Sequence, residues 1–87
     1  MTLKERLKKL LESAGIDGKD QSLWLEKIYA IPFDKAEILV YILERFTKED
    51  IIYFTKNLKE KISAISARNG TLLNKIFKKE TSYIKHN

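Results

Sequence analysis

The sequence contains no cysteine, one proline, three glycines and one histidine in 87 residues. Without cysteine there is no disulfide, thiolate zinc site, iron–sulfur cluster or cysteine nucleophile. The glycines at 15, 18 and 70 are too scattered to form a phosphate-cradling loop. So little glycine and proline also argues against a chain of many short strands and turns. The only histidine, His86, is one residue from the C-terminus, where chain ends fray, and is read as a solvated tail residue. Asp17-Gly18-Lys19-Asp20 looks like the start of a calcium loop. It lacks the ligand at the intermediate position and the glutamate that ends such a loop. Carboxylate pairs such as Glu49/Asp50 stand at a helix start, where the dipole and the orphan amides account for them without acid–base chemistry. The longest apolar run, Ile38 to Leu43, is six residues, well short of the ~18 that suggest a membrane span. The N-terminal segment is apolar only every third or fourth residue, unlike a signal peptide. These absences lead us to expect a cytoplasmic, non-enzymatic protein. No catalytic, cofactor-binding or metal-binding residue is expected, and neither a small-molecule substrate nor a membrane partner.

What is present is helical grammar. Apolar residues make up 44% and charged residues 33%, a balance suited to a folded chain. Thr2-Leu3-Lys4-Glu5 reads as a capping box, and Leu3, Leu7, Leu10, Leu11 and Ala14 recur on one stripe until Gly15. Asp20 is the expected cap of a second helix, with Trp24, Leu25, Ile28 and Ile31 on its buried side and Pro32 as the break. Asp34-Lys35-Ala36-Glu37 and Thr47-Lys48-Glu49-Asp50 repeat the cap pattern thirteen residues apart, a shared rule for starting helices. In the third helix Ile38, Leu39, Val40, Ile42, Leu43 and Phe46 cover more than half the circumference, which predicts a central position. Ile51, Phe54, Leu58, Ile62 and Ile65 form the seam of the fourth. Asn69-Gly70 stops it, and Thr71 caps a last helix with Leu72, Leu73, Ile76, Phe77 and Ile84 inward. Buried strands at 38–43 and 51–54 are the alternative. The caps before both runs, and the helical period beyond them, argue against it.

The expected fold is therefore a single all-α domain over residues 1–87. It is a compact bundle of five short helices, four if the last two merge, with mostly antiparallel neighbours. The helices are placed at about 3–14, 21–30, 34–46, 48–68 and 71–84. Trp24, Phe33, Phe46, Phe54 and Phe77 are expected inside, with Tyr29, Tyr41 and Tyr53 near polar edges.

Charge is the functional lead. The net charge is +5, and it is uneven. Residues 1–31 carry six bases and five acids, residues 32–55 three and five, and residues 56–87 eight and two. The candidate contacts to an anionic partner are Lys56, Lys59, Lys75, Lys78, Lys79 and Lys85. Arginine, the usual reader of guanine, is scarce, and only Arg68 lies in this basic third. Lysine suits sequence-indifferent phosphate contact better. Solvation alone also accounts for lysines on a helix face. The leading expectation is a small helical interaction module that binds a protein, or a second copy of itself, through a helix face. A sequence-indifferent nucleic-acid binder using the six lysines is the alternative.

Overall fold

Local caps shape the chain into five helices, seen in a computed structural model that describes residues 1–86, with the backbone alone for His86. The protein is all-α: 82% helical, with no strand among the described residues. The elements are α1 (Leu3–Ser13), α2 (Gly18–Tyr29), α3 (Phe33–Glu44), α4 (Lys48–Ser66) and α5 (Gly70–His86). The last two do not merge.

Two caps form as the sequence predicts. The Thr2 hydroxyl accepts from the Glu5 amide at 3.1 Å, and Thr47 and Asp50 exchange reciprocal side chain–backbone bonds at 3.1 Å. The other three start earlier than expected. Asp17, not Asp20, caps α2, accepting from the Asp20 amide at 2.8 Å. Asp17 and Asp20 thus serve a helix start. Pro32 occupies the N-cap of α3 with no side-chain bond, and Asp34 falls in the first turn, where its charge favours the helix dipole. Asn69, not Thr71, caps α5 through the Leu72 amide at 3.0 Å. In each case the chain turns helical as soon as an acceptor or a preset φ is available, before the residue with the most familiar pattern.

Helix stops also differ from one another. α1 ends at Gly15 (φ 77°), with Ile16 bonded back to Leu11 and Gly15 to Glu12, a Schellman arrangement. α4 ends in the same way, but the left-handed residue is Arg68 (φ 53°), and Asn69 bonds to Ala64 at 2.8 Å. Gly70, expected to help stop α4, instead begins α5.

The chain divides into two compact units, Met1–Ile52 and Tyr53–Asn87, and the division falls inside α4. In the first unit α1, α2 and α3 pack on one another. Leu7 and Leu11 are completely buried at its centre, with Ala14, Trp24, Ile28, Ala36, Val40, Leu43 and Ile51 around them. Fully burying one such leucine contributes roughly 1.5–3 kcal/mol. The second unit is an antiparallel hairpin of the rest of α4 with α5. Tyr53 stacks on Tyr83 at 4.2 Å, and further along Lys61 pairs with Glu80. Thr55, Asn57, Ala64, Ile76 and Glu80 are its buried residues. Of the small residues at the end of α4 and just beyond it only Ala64 is buried, while Ser63, Ser66 and, past the helix, Ala67 are exposed.

Candidate interaction surface

A three-helix unit can bury one arc of α3, and α3 is apolar on two. Ala36, Val40 and Leu43 take the inner arc, separated by four and three residues. About half a turn away stand Ile38 and Ile42, with Tyr41 beside them, at 59, 42 and 53% exposure. The expected central helix thus presents an uncovered apolar stripe, and Leu39 is only half-buried. Phe33, expected inside, is 69% exposed at the first residue of α3. By helical period Phe33, seven residues before Val40, falls on the same side as Ala36 and Val40, and as the first residue of α3 it stands at the helix end, left largely uncovered.

Next to Phe33 the α2–α3 turn opens a groove of about 470 Å³ lined mainly by Leu3, Leu25, Ile28, Tyr29, Ile31 and Phe33. Ile31, expected on the buried side of α2, is more than one-third exposed here. Tyr29 and Tyr41 are both exposed, and the Tyr41 hydroxyl accepts from Arg45 Nη1 at 2.8 Å. The Arg45 guanidinium lies 5.5 Å from the Tyr41 ring centre. On the flank of α3 nearer α1, Arg6 binds Glu44 through two nitrogens at 2.5 and 3.2 Å. The hydrogen bonds from Arg6 hold the Glu44 carboxyl below its ordinary pKa, and Glu44 in turn raises that of Arg6. Exposed apolar side chains grouped in this way are a feature of contact surfaces.

The basic residues fall in the second unit, whose eight bases and two acids contrast with nine and ten in the first. All six candidate lysines are exposed. Lys75, Lys78 and Lys85 share the outer side of α5, and neither they nor Lys56 enter an ion pair among the described residues. Lys79 leans over the Tyr53 ring at 5.6 Å, on the flank of α4 that also carries Lys56. Lys59 lies elsewhere, lining a shallow pocket with Glu60, Ser63 and Leu72. Tyr83 is stacked on Tyr53 and meets Phe54 edge-on at 5.7 Å, so its ring is engaged within the hairpin. Phe77, expected inside, is 49% exposed, with the Lys61 ammonium 5.0 Å from its ring centre. Leu72, Ile65 and Ile84 are likewise exposed, because a two-helix hairpin covers one face of each member only. The side chain of His86 lies outside the described residues.

Among the described residues no helix is long and apolar enough to cross a membrane, and no acid–histidine cluster has metal-holding geometry. No known protein family, curated protein or solved structure matches this chain.

Proposed function

We propose that the protein is a small non-enzymatic interaction module that binds another protein through the outer face of α3 and the adjoining α2–α3 turn. The observation that carries this reading is the exposed stripe Ile38, Tyr41 and Ile42 on the outer face of α3, with Phe33 exposed beside it at the α2–α3 turn. Tyrosine and phenylalanine bring large contact area at low cost in side-chain entropy, and helix-in-groove recognition uses this i, i+3, i+4 spacing. A photo-reactive amino acid placed at Tyr41 in the protein's own cells tests it. A discrete protein adduct at position 41, abolished by Ile38→Asp and absent with the probe at Lys8, supports the reading. Absence of any adduct at position 41 overturns it.

Nucleic-acid binding is the second reading, favoured by Lys56, Lys75, Lys78 and Lys85 standing exposed without acid partners in a unit with six surplus positive charges. Such lysines release counterions from phosphate whatever the base sequence. Titration of labelled duplex and single strand at two salt concentrations decides this. Micromolar binding with a steep salt dependence supports it, and no binding at low salt removes it.

A further inference from the structure

The outer stripe of α3 reads Asp34, Ile38, Tyr41, Ile42 and Arg45, separated by four, three, one and three residues. Its acid is at the N-terminal end, its base is at the C-terminal end, and the middle is apolar. Asp34 and Arg45 are both exposed, and neither enters an ion pair among the described residues. A stripe with opposite charges at its two ends is complementary to itself when reversed. We infer that the partner on this face is a second copy of the chain, with the α3 helices antiparallel about a two-fold axis near residues 39 and 40.

The register follows from the sequence numbers. An axis there sets Asp34 opposite the partner's Arg45, and Arg45 opposite the partner's Asp34. Ile38 meets the partner's Ile42 and Tyr41, which places the apolar residues at the centre, where water is excluded, and the charges at the rim. A parallel pairing sets Asp34 against Asp34 and Arg45 against Arg45, so repulsion selects the antiparallel one. The flank carrying Glu37 and Glu44 brings acids of both copies near one another. Arg6 offsets them, bonded to Glu44 and attracted by Glu37. The Arg45–Tyr41 hydrogen bond keeps the guanidinium along the stripe, so little ordering remains when the copies meet. One helix face buries less than the ~1,200–2,000 Å² of a standard interface, so the dimer is weak and depends on concentration. This inference rests on the protein-binding reading of α3 and names its partner.

The test is charge exchange, followed by sedimentation velocity of the full chain up to about 1 mM. Wild type is expected to pass from monomer to dimer within that range. Asp34→Lys alone and Arg45→Glu alone each weaken the dimer by roughly tenfold or more, because like charges then face one another. An equimolar mixture of the two variants recovers wild-type association, since every 34–45 contact across the heterodimer is again between opposite charges. Both positions are exposed, and recovery on mixing shows that both variants are folded. Lys78→Glu, in the other unit, leaves association unchanged. A chain that stays monomeric throughout overturns self-pairing, and so does a mixture that associates no better than either variant. In either case, an adduct between position 41 and a different protein leaves the broader reading standing, whereas no adduct ends both.

Discussion

Lys61 on α4 forms an ion pair with Glu80 on α5 in which the carboxylate side chain is 8% exposed and the ammonium side chain 23%. The second carboxylate oxygen, Glu80 Oε2, is buried without a hydrogen-bond partner among the described residues. Removing the lysine therefore strands a desolvated charge, while removing both charges costs little. Lys61→Met is expected to destabilise by about 1–3 kcal/mol, below the range for fully buried pairs because Lys61 keeps some contact with water. The double variant with Glu80→Leu should recover most of that loss. Urea unfolding of the four proteins of this cycle measures it, and additive losses contradict the pairing.

Asn57 has no exposed surface, and neither its Oδ1 nor its Nδ2 has a partner among the described residues. It lies one turn from both Tyr53 and Lys61 on the side of α4 that faces α5. A buried amide without partners forfeits its desolvation free energy. Asn57→Leu is similar in size and is expected to raise stability by roughly 1–2 kcal/mol. A lower denaturation midpoint would show that the amide is satisfied in solution.

Gly15 and Arg68 occupy equivalent positions past the ends of α1 and α4, both at positive φ. At Gly15 the nearest atom to an added methyl is the flexible tip of Lys48 at 4.0 Å, so Gly15→Ala costs only backbone strain, about 1 kcal/mol. Arg68→Gly relieves the same strain and is expected to stabilise by about 0.5–1 kcal/mol, less than the full relief because glycine frees the unfolded chain. Opposite shifts in thermal midpoint confirm both; shifts of the same sign contradict the shared geometry.

Val40 is fully buried on α3 and Ile38 is not. Leu7→Ala, at the centre of the first unit, should cost about 2–5 kcal/mol. Ile38→Ala, two residues before Val40, should cost under ~0.5 kcal/mol in dilute solution, as a surface substitution does. A large loss at Ile38 in the monomer would place that face inside.

The Arg6–Glu44 pair makes stability depend on pH in one direction. Glu44 is depressed in the folded state, so its contribution is present above the ordinary carboxylate value. It is lost as the pH falls through the depressed value. Glu44→Gln should therefore be less stable than wild type at neutral pH and converge with it in acid. Equal separation of the two melting curves at every pH contradicts the assignment. The separation itself is small, since both groups are solvent-accessible and salt screens them.

By itself the sequence determined the all-α class, the five segments, the Thr2 and Thr47 caps, the Gly15 stop and the leucine stripe of α1. Each depends on residues within about four positions or on the 100° period, and such interactions look much the same in any helical protein. The concentration of positive charge after residue 55 was equally legible, because charge needs no fold to be counted. The caps at Asp17, Pro32 and Asn69 were harder to find, since a residue two or three positions further on carried the more familiar pattern in each case.

Only the tertiary structure decided which apolar residues are core. α3 is apolar on two sides, and its own periodicity cannot say whether neighbours cover one side or both. The three-helix unit covers Ala36, Val40 and Leu43, and leaves Phe33, Ile38, Tyr41 and Ile42 in water. Phe77, Leu72 and Ile84 are exposed for the same reason in the hairpin. Burial depends on how many neighbours a helix has, and that number is set by how the elements assemble. The apolar residues of the surface proposed to bind a partner, Phe33, Ile38 and Ile42, were therefore present in the sequence but read there as core, with only Tyr41 placed near a polar edge.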